Sequence, residues 1–94
     1  MKVVLNRRYG GFGISWQAVQ RMAQVYHNAW ALQREPHQDG YDSYDYDISR
    51  DDPDLVRVVE ELGVDSFGKH AKLAIVEAEK EYDILDFDGM ESFR

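Results

Sequence analysis

The sequence predicts a small α+β domain: two helices packed on a mostly antiparallel sheet, in the order β-α-β-α-β-β-β. Two observations lead to this prediction. Short apolar runs bounded by turn residues predict strands near both ends of the chain, and two longer segments repeat apolar side chains with helical periodicity. A chain of 94 residues, 44% of them hydrophobic, suffices for a single domain over residues 1–94 with a modest core.

The first strand and the first helix are predicted to be joined by a glycine-rich loop. A β-branched run predicts a buried strand over residues 2–6, and closely spaced glycines predict a tight loop over 7–14. Ser15 is a good N-cap for a helix over about 16–34, which Pro36 ends. Two adjacent apolar stripes cover roughly 200° of this helix, so we expect it to contact two surfaces.

The middle of the chain is predicted to add an edge strand and a second helix. Apolar and aromatic side chains alternate with aspartates over 44–48, which predicts a strand with an acidic outer face. Asp52 is a cap residue followed by Pro53, and apolar residues at i, i+3, i+4 and i+7 predict a helix over about 53–62. Gly63 is a typical C-terminal stop.

Three strands are predicted to form a meander at the C-terminal end. An apolar run predicts a buried strand over 73–78, and residues 79–81 are predicted to turn. A further strand over 82–87 leads to Asp88-Gly89, the strongest hairpin signal in the chain, before a short strand over 90–93.

The net charge of −7 is unevenly distributed. Residues 1–34 carry five basic and no acidic side chains, residues 35–54 carry one basic and eight acidic, and residues 55–94 carry five basic and ten acidic. The overall acidity argues against direct nucleic-acid binding, although this argument is weaker for the basic N-terminal third. The charged regions either neutralise each other inside the fold or face charged partners.

The acidic stretch is the leading candidate for a partner-binding site. It lacks the glycine and glutamate of an EF-hand calcium loop, so we exclude calcium binding of that type. Interleaved tyrosines suit a protein interface, and spaced aspartates can mimic the charge of nucleic acid. The simpler interpretation is a solvated acidic edge that prevents sheet aggregation. The candidate partner-binding residues are Asp39, Tyr41, Asp42, Tyr44, Asp45, Tyr46 and Asp47.

The glycine-rich loop is the alternative candidate, as an anion-binding site. A strand, a glycine-rich turn and a helix N-terminus can present backbone N–H groups to a phosphate, a nucleotide or a carboxylate. The loop matches neither a P-loop nor a dinucleotide fingerprint, and a plain tight connection explains the glycines as well. The candidate anion-binding residues are Arg7, Arg8, Gly10, Gly11, Gly13 and Ser15.

Several other chemistries find no support in the sequence. The absence of cysteine excludes disulfides, zinc ribbons and thiol catalysis. The isolated His27, His37 and His70 do not form a metal-ligand pattern, and no serine lies in a nucleophile motif. We therefore expect no catalytic residues, no metal and no cofactor. No apolar run is long enough to span a membrane, and the start is not a signal peptide, so we expect a cytoplasmic protein.

Three strings in the chain resemble a group of small uncharacterised proteins encoded by bacteriophages, prophages and their hosts. They are Met1–Ser15 with its Tyr-Gly-Gly-Phe-Gly core, Asp52–Gly63, and Lys72–Glu77, and they cover roughly a third to a half of the chain. The resemblance implies a phage-related accessory protein and assigns no catalytic residues. We expect a non-enzymatic protein that binds a host protein or complex in the bacterial cytoplasm, for example as an acidic anti-defence inhibitor. The alternative is a small anion- or nucleotide-binding module.

The wide apolar arc of the first helix, which includes Trp16 and Trp30, also predicts a homodimer. Light scattering at micromolar concentration should give twice the 11.0 kDa mass of one chain. A mass near that of one chain would contradict this prediction.

Overall fold

The computed structural model describes residues 1–79 and 82–93, without the side chains of Phe87 and Phe93. The helix over Pro53–Leu62 continues into a 3-10 turn over Gly63–Ser66. The regular elements are, in chain order, β1 (Lys2–Asn6), α1 (Trp16–Gln24), α2 (Ala29–Leu32), α3 (Pro53–Leu62), β2 (Leu73–Glu77), β3 (Ile84–Phe87) and β4 (Met90–Phe93).

The predicted α+β class is confirmed, but the predicted single sheet with the order β-α-β-α-β-β-β is wrong. Strand β1 pairs antiparallel with β2, from Lys2 opposite Glu77 to Asn6 opposite Leu73. Strands β3 and β4 form a separate antiparallel hairpin. Its turn has φ of 52° at Asp88 and 90° at the following glycine, as the sequence predicts for a tight hairpin. Part of the turn predicted at 79–81 lies outside the described residues.

The two sheets stay separate because other groups occupy the second edge of β1. Val4 N donates to the carbonyl oxygen of Arg50 at 2.9 Å, and Asn6 N donates to the Glu91 carboxylate at 2.8 Å. A loop and a side chain therefore satisfy the N–H groups that an adjacent strand would have bound.

The sheet of β1 and β2 lies between the helices and the hairpin. Val4 packs in the larger core cluster with the buried side chains of α1 and α3, whereas Val3 and Leu5 pack on the opposite face with Ile84. Alternate side chains of β1 therefore enter two separate apolar layers. This arrangement agrees with the prediction that the first strand is buried on both faces.

The predicted helix over 16–34 is interrupted, so that part of the prediction is wrong. Helix α1 ends at Gln24, and His27 adopts a left-handed φ of 51°. Asn28 N donates to the carbonyl oxygen of Met22, while its side-chain oxygen accepts from Ala31 N and caps α2. Because an asparagine side chain can replace the helical hydrogen bonds, it favours a break here, although the apolar periodicity predicts one continuous helix.

The predicted strand over 44–48 is absent, because the segment makes only one isolated bridge, from Tyr44 to Ile14. Asp47 has a left-handed φ of 55°, which is incompatible with a strand. Aspartates stabilise turns through their short polar side chains. Here this turn preference determines the backbone conformation, although the alternating apolar pattern is typical of a strand.

This loop supplies part of the second surface that we expected for the first helix. Trp16 packs against Tyr44, with ring centroids 5.3 Å apart, and Trp30 donates its indole N–H to the carbonyl oxygen of Tyr46. Val25 and Leu32 remain 52% and 60% exposed. The homodimer stays a prediction.

Helices α1 and α3 are also connected by a surface cluster. Arg21 donates two hydrogen bonds to Glu61, at 3.2 and 3.0 Å, and the Tyr26 hydroxyl donates to the same carboxylate. The hydrogen bonds from Arg21, and then that from Tyr26, lower the pKa of Glu61. The same contact raises the pKa of Arg21. The cluster thus extends the ionisation of Glu61 to lower pH, and its contribution to this helix pairing is lost as the pH falls through that lowered pKa.

Glu91 is buried and forms an ion pair with Arg50. We expect Glu91→Gln to lower the free energy of unfolding by about 3 kcal/mol, since it leaves the charge of Arg50 without its buried partner. Glu60→Gln is the matched control. It removes an exposed carboxylate paired with Lys2 and should cost about 0.5 kcal/mol or less. Urea denaturation of both variants tests this, and equal losses would contradict a special role for Glu91.

Candidate functional site

The glycine-rich loop is the point where three other parts of the chain meet. A Cβ on Gly13 would lie 1.9 Å from the Ser43 hydroxyl oxygen, and one on Gly89 would lie 2.1 Å from Gly11 N. Gly68 N donates to the carbonyl oxygen of Gly13 at 2.9 Å. Close backbone approach therefore explains these glycines.

The N-terminus of α1 is bound by groups of the chain itself. Ser15 Oγ accepts from Ala18 N at 3.1 Å, as the cap prediction requires. The Asp42 carboxylate accepts from Trp16 N at 2.6 Å. A residue of the predicted partner-binding set therefore occupies the helix end that the alternative hypothesis offered to an external anion.

The predicted anion-binding residues thus divide into two groups. Gly10 and Gly13 allow close packing, Gly11 has a left-handed φ of 103°, and Ser15 caps α1, while Arg7 and Arg8 remain exposed. The Arg7 guanidinium lies 3.4 Å from the carbonyl oxygen of Glu91.

Tyr44 anchors the acidic segment instead of facing solvent. It is 6% exposed, its ring stacks on His37 with centroids 4.3 Å apart, and its hydroxyl oxygen accepts from His37 N at 3.0 Å. Its backbone forms two hydrogen bonds with Ile14, at 3.0 and 2.9 Å. These contacts attach the segment firmly to the core at its centre.

The other members of the predicted partner-binding set are exposed. Tyr41 and Tyr46 are 40% and 69% exposed. We define the acidic–aromatic surface as the exposed members of the set that do not cap α1. They are Asp39, Tyr41, Asp45, Tyr46 and Asp47.

Arg34 lies beside this surface and was missed by the sequence analysis. Its guanidinium carbon is 5.1 Å from the centre of the Trp30 ring and 5.6 Å from that of Tyr46. Its Nε atom is buried and has no hydrogen-bond partner among the described residues. The four-residue spacing of Trp30 and Arg34 was the available signal, because such residues are neighbours on a helix.

Two clefts lie on either side of the stacked rings of His37 and Tyr44. The first, of about 210 Å³, is lined by Arg34 and Tyr46 with acidic neighbours. The second, of about 330 Å³, is lined by Trp16 and Asp42. Arg34 lines the first cleft, and its guanidinium is a cationic donor group suited to a carboxylate.

A second charged region surrounds the glycine-rich loop. Arg7 N donates to the carbonyl oxygen of Lys72 at 2.8 Å, and a Cβ on Gly10 would lie 3.0 Å from Cβ of His70. Residues 7–10 and 69–72 therefore run side by side and bring distant basic side chains together. Arg7 and Arg8 were predicted from the sequence, whereas the contribution of 69–72 was not, because only the pairing of β1 with β2 reveals it.

Some kinds of site are not found in the described part of the chain. Within residues 1–79 and 82–93, no group of three or more His, Asp or Glu side chains is arranged to hold a metal ion. None of the helices described there is long and apolar enough to cross a membrane.

We expect Asp42→Ala to destabilise the fold by about 1 kcal/mol, because it removes a charged acceptor at the N-terminus of α1. The neighbouring Asp45→Ala should change stability by less than about 0.5 kcal/mol, since Asp45 is exposed. Thermal denaturation of the two variants measures the difference, and equal melting temperatures would contradict the capping role.

Comparison with known proteins found no matching family model, curated protein or solved structure.

Proposed function

We propose that this is a non-enzymatic accessory protein that binds a protein partner through its acidic–aromatic surface. The observation that supports this most directly is the exposure of Tyr41 and Tyr46 on a loop whose central residue, Tyr44, is buried. Tyrosine is enriched at protein interfaces, where its ring buries a large area and its hydroxyl still forms hydrogen bonds.

The loop is held in place before any partner arrives. Tyr44 is packed between His37 and Trp16, and Asp42 is bound to the N-terminus of α1. A rigid loop loses little conformational entropy on binding, so more of the contact energy contributes to affinity.

The charge of the segment indicates the chemistry of the partner. Residues 35–54 carry eight acidic side chains against one basic side chain, so a partner with a basic surface is favoured electrostatically. The guanidinium of Arg34, which lines the neighbouring cleft, can bind one carboxylate of that partner.

The resemblance to phage and prophage proteins suggests where such a partner would occur. A host protein built to bind nucleic acid, such as a component of a defence system, has a basic surface of this kind. We place the protein in the bacterial cytoplasm on the same grounds.

The test uses the wild-type protein and its variants as baits in quantitative pull-downs from a bacterial host lysate. Calorimetry then measures the affinity of each for the captured protein. The variant Asp45→Lys/Tyr46→Ala should lose about 30-fold or more in affinity, as expected for an interface hot spot. Asp42 is left unchanged in this variant, because its carboxylate caps α1.

Glu79→Lys is the control, since Glu79 is exposed and lies outside the acidic–aromatic surface. It should bind like the wild type. A partner that binds the wild type and the double variant equally would overturn the proposal, as would the absence of any specifically captured protein.

A further inference from the structure

We infer that a second surface of this protein binds single-stranded nucleic acid through its phosphodiester backbone. We call it the basic face, and it is formed by the exposed side chains of Arg7, Arg8, Lys69, His70 and Lys72. It adjoins the acidic–aromatic surface at Tyr41, and it implies a function beyond the protein binding proposed above.

The pairing of β1 with β2 assembles this face from two distant parts of the chain. The strands end at Asn6 and Leu73, which are opposite each other. The next residues continue the contact, because Arg7 N donates to the carbonyl oxygen of Lys72 at 2.8 Å. The close approach of Gly10 to His70 extends it further. Four permanent positive charges therefore share one region of a chain whose net charge is −7.

These charges are not neutralised by direct ion pairs. The ion pairs found in the described residues use the N-terminal amine, Lys2, Arg21 and Arg50. No carboxylate of the described residues lies within 4.0 Å of a basic-face nitrogen.

Nearby carboxylates are bound to backbone N–H groups instead. Asp42 accepts from Trp16 N, and Asp86 accepts from Gly89 N. These two carboxylates keep their charge, and the exposed Asp88 beside Gly10 adds a third negative charge. Against the four basic side chains, the local balance is still positive. Basic side chains that keep their full charge attract a polyanion at long range.

Tyrosines in the same region favour a single strand over a duplex. Tyr9 is 56% exposed within the loop, and Tyr41 is 40% exposed. The Lys69 ammonium lies 5.7 Å from the centre of the Tyr41 ring, and the His70 ring lies 6.0 Å from it. Cations interleaved with accessible aromatic rings are typical of surfaces that hold the backbone and stack unpaired bases.

The region also lacks an obvious means of reading duplex DNA. Reading the major groove requires a protruding helix or a two-stranded ribbon. The adjacent helix end, that of α1, is closed by Ser15 and Asp42. The adjacent ribbon, β3 and β4, carries the exposed Asp88 at its turn, and this negative charge repels phosphate groups. Backbone contacts with stacking are therefore the better-supported mode of recognition.

The first measurement is fluorescence anisotropy with labelled single strands of about 12 nucleotides, one of DNA and one of RNA. With four phosphate contacts, raising the salt from about 50 to 200 mM should weaken binding about 50-fold. A preference for the DNA or for the RNA strand shows whether deoxyribose or ribose is recognised. Either preference supports the inference. Tighter binding of the duplex of the same sequence would overturn it, as would binding of polyglutamate of equal length with similar affinity.

Charge variants locate the site. Arg8→Gln/Lys72→Gln removes two of the four charges. The loss of affinity on raising the salt from about 50 to 200 mM should then fall to about sevenfold. The matched control, Lys2→Gln/Arg57→Gln, changes the net charge equally with exposed residues elsewhere, and its binding should resemble the wild type. Equal losses in the two variants would overturn the assignment to this face.

Tyr41→Ala tests the stacking. It should weaken single-strand binding by about fivefold or more while leaving the salt dependence unchanged. Circular dichroism confirms that each variant is folded. No binding by the folded wild type at low salt and about 100 μM protein would overturn the inference.

Discussion

The fold depends on one buried carboxylate. Glu91 is 4% exposed and binds Asn6 N of β1 at 2.8 Å and Nη2 of Arg50 at 2.6 Å. The guanidinium of Arg50 lies 3.6 Å from the centre of the Phe12 ring. The carbonyl oxygen of Arg50 accepts a hydrogen bond from Val4 N. This ion pair therefore connects the C-terminal hairpin, the first strand and the loop before α3. Removing either partner would leave a charge in the interior that water cannot reach freely.

Asn6 completes this network and thereby shapes the basic face. It is fully buried, and its side-chain oxygen accepts from Lys72 N at 2.9 Å. Its amide donates to the carbonyl oxygens of Arg8 and Gly89, at 2.7 and 2.6 Å. The backbone at Arg8 and Lys72 is thus held by the same polar core that joins the two sheets. The basic side chains are flexible and exposed, but their attachment points are rigid, which favours a defined surface for a charged ligand.

The sequence allowed the local elements to be predicted, but not their assembly. The buried strand β1, the helix α3 and the turn at Asp88 follow from apolar spacing, capping and turn chemistry, all of which act over a few residues. The break at Asn28 did not follow, because its capping bond competes with an apolar stripe that continues beyond it. Nor did the separation of the sheets, since it depends on Glu91 meeting an N–H group 85 positions away in the chain.

The assembly of the candidate sites could not be predicted from the sequence either. Their positions in the fold explain the unequal distribution of charge along the chain. The acidic segment and the glycine-rich loop are neighbours in space, joined where Asp42 caps α1 and Ser43 packs on Gly13. Proximity alone would favour ion pairs between them, but in the described residues Asp42 binds the backbone N–H of Trp16 instead. The carboxylates of Asp45 and Asp47 and the cations of the basic face remain exposed to solvent. The basic and acidic segments of the chain therefore form two adjacent surfaces of opposite charge. Each surface can attract a partner that the other repels.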